Sequence, residues 1–154
     1  MKQLITTAFL LMFTICNQVE AQVAPIFPKG EKAPNVHHTG DVWLSHLSAA
    51  DSNFNYNIAV ATFAAGAKLD WHMHPAGQQL LIIEGKGYYQ ERGKALQIVN
   101  KGDNIKCLPG VEHWHAATPE NGVTYLAITG NQRTRWLEPI SDEMYKSLKG
   151  EKEP

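Results

Sequence analysis

An all-β fold is what this sequence predicts: a small sandwich or barrel with one helix at its C-terminus. Three observations predict it. Short apolar runs recur along most of the chain, each bounded by Gly, Pro, Asn, Asp or Ser. No long helical period interrupts them before residue 141. The length, 154 residues, allows one domain with a modest core.

The first 21 residues stand apart from the fold. Lys2 gives a short basic start, residues 4–16 are an apolar run, and Val19-Glu20-Ala21 closes a polar region. That layout reads as a secretory signal peptide, with cleavage expected after Ala21 and a secreted or periplasmic product. The run is shorter than the ~20 residues a membrane span needs, so no membrane partner is expected after cleavage. Residues 22–39 are expected to form an extended arm, loose as far as Pro34 because of its prolines and small residues. The barrel is expected over 40–140, with candidate strands at 42–47, 56–64, 79–84, 87–91, 96–99, 104–108, 113–117 and 123–129. Turn-formers such as Ala65-Gly66, Glu84-Gly85, Lys101-Gly102-Asp103 and Pro109-Gly110 separate them. Residues 141–154 are the helix and tail. Ser141 can cap a helix over 141–149, Asp142 and Glu143 suit its first turn, and Lys146 and Lys149 suit its last. Gly150 follows as a stop. Met144, Tyr145 and Leu148 give the helix one apolar face.

Composition narrows the function classes. Fourteen Lys and Arg against 15 Asp and Glu leave a net charge of −1. No basic stripe suggests a nucleic-acid partner, and no acidic run suggests a disordered tail. Cys16 falls within the leader, so Cys107 is left alone and no intramolecular disulfide is expected. Cys107 itself reads as a core residue, since nothing in the sequence marks it as activated.

The chemistry is concentrated in histidine. His72 and His74 form one i, i+2 pair, and His113 and His115 form a second. On a strand each pair points both imidazoles to one face. Buried neutral imidazoles need partners for both ring nitrogens, so four together favour a metal. His37, His38 and His46 fall outside these pairs and read as surface or rim residues.

The spacing around these pairs resembles the two motifs of the cupin family. Gly66, five residues, His72-x-His74, three residues, Gln78, six residues and Gly85 resemble the first. Gly102, five residues, Leu108-Pro109-Gly110, two residues and His113 resemble the second. The resemblance implies a small jelly-roll barrel and a divalent ion held by His72, His74, Gln78 and His113. Gln78 stands where the family usually has Glu, and its gap to Gly85 favours it over Gln79. The stretches "WHMHPAGQ", "GDNIKCLPGVEHWHAATP", "TYLAI" and "SDEMY" are similar to the cupin hydroxynitrile lyases of bacteria. Those are manganese-dependent enzymes, which implies Mn(II) here, with Fe(II), Zn(II) or Ni(II) as other occupants. They carry a further pocket histidine where this chain has Tyr125.

Three imidazoles and an amide oxygen leave a divalent ion's charge uncompensated. Such an ion is a stronger Lewis acid, suited to polarising a carbonyl or binding an anion. His115 is expected to act as general acid or base, or to orient its neighbours. Tyr125 is expected either to hydrogen-bond a substrate oxygen or to serve as a core tyrosine. The function expected is therefore enzymatic: metal and histidine acid/base chemistry of the lyase kind on a small carbonyl or hydroxylated compound. A metal-dependent dioxygenase and a non-catalytic metal or small-ligand binding module are the alternatives. Trp71, Met73 and Trp114 alternate with the ligands and should face the opposite side. That face needs cover, expected from a second subunit in a homodimer, with the arm or the last helix as the alternative.

Overall fold

The computed structural model describes residues 24–148. The expected leader and the last residues of the tail lie outside that range. Among the described residues twelve strands precede one helix. They are β1 (Glu31–Lys32), β2 (His38–Thr39), β3 (Val42–Ser48), β4 (Tyr56–Phe63), β5 (Lys68–Leu69), β6 (His72–Met73), β7 (Gln78–Glu91), β8 (Gln97–Asn100), β9 (Asn104–Cys107), β10 (His113–Ala117), β11 (Val123–Gly130), β12 (Arg135–Trp136) and α1 (Asp142–Ser147). The all-β class with one C-terminal helix is the class the sequence predicts.

The strands curl into a barrel of two sheets that share β7. The main path runs β1-β3-β4-β11-β7-β10-β5-β2, every pair antiparallel. The first half of β7 pairs with β11 and β9, and its second half pairs with β10 and β8. The sequence suggests two strands here, split at Glu84-Gly85. The structure makes them one 14-residue strand that turns a corner between the sheets. Gly85 sits at that corner with φ +79°, where a Cβ would fall 2.0 Å from the Gly122 carbonyl oxygen. The turn signal was real, but it bends the strand instead of ending it.

Alternation along the strands sorts the apolar residues into two cores. Phe63, Leu80, Ile82, Tyr89, Val123 and Tyr125 fill the barrel interior. On the outer face Trp71, Tyr88, Trp114 and Ala116 pack under Ile140 and Tyr145. So Trp71 and Trp114 do face away from the histidines, and their cover is the chain's own C-terminal segment. Trp114 is fully buried, and its indole N–H donates to Gln90 Oε1 at 3.0 Å.

Three contacts pin the helix there. Ser141 Oγ accepts from the Met144 amide at 3.1 Å, the cap the sequence predicts. Lys68 Nζ donates to Asp142 Oδ1 at 2.5 Å, and the Tyr145 hydroxyl donates to the Ala117 carbonyl at 2.6 Å. The N-terminal arm is not loose along its whole length. β1 pairs with Trp43 and Leu44, and β2 pairs with Lys68 and Leu69. Two such short strands carry no readable alternation, and it is pairing that orders them.

Candidate metal centre

Antiparallel pairing of β6 with β10 sets His72 directly opposite His113. His74 follows β6 in a turn whose carbonyl accepts from the Gly77 and Gly110 amides, each at 3.0 Å. The two turns that flank the histidine pairs are therefore tied to each other at His74. As a result, potential ligand atoms of His72, His74 and His113 all lie within 4.8 Å of one another. All three rings are buried.

The hydrogen bonds around these rings prepare them for a cation. His72 Nδ1–H donates to the Asp70 carbonyl at 2.8 Å, and His113 Nδ1–H donates to the Val111 carbonyl at 2.9 Å. A carbonyl only accepts, so each neutral ring keeps its lone pair on Nε2. His74 Nδ1 is hydrogen-bonded to the Thr134 hydroxyl at 3.1 Å. Nε2 of His74 and of His113 is buried with no hydrogen-bond partner. Buried nitrogens are seldom left so, and a divalent cation would satisfy both. The donor set fits such an ion.

Burial also keeps the rings neutral. It pushes His74 down to about 4, with the neighbouring His113 as the second cause. Burial first, then His113, puts His72 well below the ordinary histidine range, and burial lowers His113. Neutral imidazole is the form a metal binds.

Gln78 begins β7 on the interior side. Its Nε2 donates to Thr129 Oγ1 at 3.0 Å, and its Oε1 accepts from the Cys107 thiol at 3.9 Å. Gln78 lines the same cavity as His74. Gln79 points elsewhere, its Nε2 donating to Asn104 Oδ1 at 3.0 Å in an exposed position. Gln78 is thus the glutamine beside the histidines.

His115 lies one alternation further along β10, also facing inward and buried. Its ring stacks on His113 at 6.3 Å and meets the His72 ring edge-on at 5.4 Å. Its Nδ1 is buried and unpartnered, so no hydrogen bond at that atom fixes its tautomer. Burial first, then His72, holds it well below the ordinary range. Tyr125 packs edge-on against His115 at 4.9 Å, but its hydroxyl donates to the Ala116 carbonyl at 2.9 Å. Burial pushes that hydroxyl's pKa up. Tyr125 therefore presents its ring to the site and its oxygen to the barrel wall.

His72, His74 and His115 line a cavity of about 430 Å³, with Gln78 beside them. Most of its lining is apolar, including Val42, Leu44, Ala61, Phe63 and Leu80. His37, His38 and His46 line it as well, which makes them rim residues. His37 stacks on Trp136 at 4.6 Å, and the Trp136 ring lies 4.9 Å from His72. The sequence reading missed Thr134 and Trp136. Both lie beyond the second motif, and no spacing signal marks them.

A barrel with imidazoles from two facing strands and the turn beside them gathered into one cluster defines a class of β-barrel metal-site proteins. Residues 59–129 match the family model of the cupin domain. The chain is 36% identical over 118 residues to an (R)-mandelonitrile lyase of Granulicella tundricola, covering 75% of this chain and 90% of that protein. It belongs to the cupin family. A crystal structure of a cupin-like protein from Thermotoga maritima is similar at 38% identity and TM-score 0.75, covering 80% of this chain and 96% of that one. A cupin 2 conserved barrel domain protein from Rhodopseudomonas palustris shares the fold at 20% identity, TM-score 0.60 and coverage of 77% and 82%.

Proposed function

We propose that this cupin is a metal-dependent enzyme acting on a small carbonyl or hydroxylated compound with an apolar body, by chemistry of the hydroxynitrile-lyase kind. One observation carries the reading: His74 and His113, each with a buried, unpartnered Nε2, cluster with His72 beside an apolar cavity that His72, His74 and the buried His115 line. The likeness to a protein named (R)-mandelonitrile lyase supports the same reaction class.

His72, His74 and His113 would hold the ion, with Gln78 Oε1 as a fourth ligand, and Mn(II) is the ion we propose. A bound divalent ion supplies electrostatic stabilisation of charge developing on a substrate oxygen. The chain's own residues do the rest. The apolar wall takes the substrate body and excludes water, which strengthens the electrostatics at the buried end. His115, neutral because it is buried, accepts the proton of the substrate hydroxyl and returns it to the leaving group. In a cyanohydrin the carbon–cyanide bond breaks as the carbonyl forms, so the proton ends on cyanide. Tyr125 braces the His115 ring and keeps its own proton.

The test is metal analysis of untagged protein followed by two assays, cyanohydrin cleavage and oxygen uptake. We expect about one divalent ion per chain and cleavage of mandelonitrile. His115→Ala should keep the ion and lose at least ~10²-fold in rate, the usual worth of a positioned acid or base. Oxygen uptake with Fe(II) and no cleavage would replace this reading with a dioxygenase. Full metal occupancy with neither activity would replace it with a binding module.

A further inference from the structure

A chain of buried polar side chains outside the cavity lining leads to the metal centre from the opposite direction. Glu91 is 8% exposed, and its Oε1 accepts from the Tyr89 hydroxyl at 3.3 Å. Tyr89, 1% exposed, and Cys107, 2% exposed, both belong to the barrel's buried core. The Cys107 thiol reaches Gln78 Oε1 at 3.9 Å. Strand register builds this arrangement. Cys107 lies opposite Gln78, Tyr89 opposite His115, and Glu91 opposite His113. The Tyr89 ring is 5.6 Å from the His113 ring. At the outer end Lys94 Nζ meets Glu91 Oε2 at 2.5 Å, with a lysine side chain 64% exposed.

Tyr89 and Cys107 pack in the barrel core, but burying a hydroxyl, a thiol and a carboxylate there costs free energy that apolar residues would avoid. The ligand set explains them. Three imidazoles and a carboxamide carry no charge, so a dication among them lacks a local counter-ion. A carboxylate one layer away in a poorly screened interior still acts on that ion. Lys94 pairs with Glu91 Oε2, and the other oxygen, Oε1, is the one turned to Tyr89.

We propose that Glu91 is a positioning residue that supplies, from outside the ligand set, the negative charge that Gln78 lacks, acting on the cation through His113, which it faces across the strands, and through the Tyr89 ring it holds against His113. The proposal rests on reading the histidine cluster as a metal centre.

The experiment measures Mn(II) affinity of the full chain by chelator competition, with the metal alone as probe. Glu91→Gln should weaken binding by ~10- to 100-fold, the scale of outer-layer effects on metal sites. Gln78→Glu places a carboxylate among the ligands and makes Glu91 redundant. In that background Glu91→Gln should therefore change affinity by less than about threefold, whereas Glu91→Asp in the wild-type chain should keep most of it. Equal losses in both backgrounds would show a structural role and overturn the proposal, as would no loss in either. If Glu91→Gln does not fold, Tyr89→Phe carries the test, because it keeps the ring against His113 and cuts only the hydroxyl link. The same dependence on background is expected of it. A wild-type chain that takes up no Mn(II), Fe(II) or Zn(II) overturns the metal-centre reading, and this proposal with it.

Discussion

At the scale of single residues the buried imidazoles tie stability to pH. His74 is held at about 4 against an ordinary 6.5, and His72, His113 and His115 shift the same way. The folded chain thus binds fewer protons than the unfolded one below about pH 6.5. Their stability contribution is complete above that pH and is lost as pH falls towards 4. For His74 alone the slope is about 1.4 kcal/mol per pH unit, so about 3 kcal/mol disappears across the window. Urea unfolding of chelated protein at about pH 7, 5.5 and 4.5 checks this, and a flat profile would contradict neutral burial. His113 and His115 were legible in the sequence because an i, i+2 pair on a strand has one physical meaning, two side chains on one face, whereas His74 reaches the cluster from the turn after β6 and was legible through motif spacing. Gln78 was legible only through motif spacing. The geometry that separates it from Gln79 is which face of β7 each occupies, and the sequence shows that only once the strand's phase is known. Thr134 was not legible, because one threonine in a loop looks like any other until its hydroxyl meets His74.

At the scale of elements the bent strand β7 is the part on which both sheets depend. Gly85 takes a left-handed φ where the Gly122 backbone approaches it, and the Lys86 amide donates to the Gly122 carbonyl at 3.1 Å. Gly85→Ala adds a left-handed penalty of about 1–2 kcal/mol and a clash with backbone that cannot rotate away. We expect a loss of at least ~2 kcal/mol in urea unfolding, with a falling midpoint and an unchanged slope. Gly66→Ala is the control. Its φ is +80°, but a Cβ there meets nothing within 4 Å, so only the conformational penalty applies. If the two variants are equally stable, the corner does not depend on that close approach. Most strands could be placed from alternation bounded by turn residues. β7 was split in two because a Gly that bends a strand and a Gly that ends one look the same in sequence. The two-residue strands of the arm were missed because two residues have no period.

At the scale of the whole molecule the barrel and the metal centre are one cooperative object. The candidate ligands come from two segments about 40 residues apart, and the cavity wall also takes in His37 and Trp136, far apart in sequence and stacked on each other. The fold class was legible because it follows from local patterning repeated along the chain. The cavity was not, because its wall is assembled from elements whose contacts are long-range. An ion bound where these segments meet holds the native state together and has no comparable site in the unfolded chain, so binding energy becomes folding energy. At a free ion concentration of about 100 times the dissociation constant, the gain is about 2.7 kcal/mol. For a domain of this size that corresponds to a rise in Tm of roughly 10 °C. Thermal unfolding with Mn(II) and with excess chelator measures it. His113→Ala should abolish the difference, since it removes the one candidate imidazole that β10 contributes to the cluster. His46→Ala, at the cavity rim, should leave it intact. If Tm moves equally in both variants, the ion is bound elsewhere. If it does not move in the wild-type chain, the convergence of the three rings holds no cation, and the buried nitrogens need another partner.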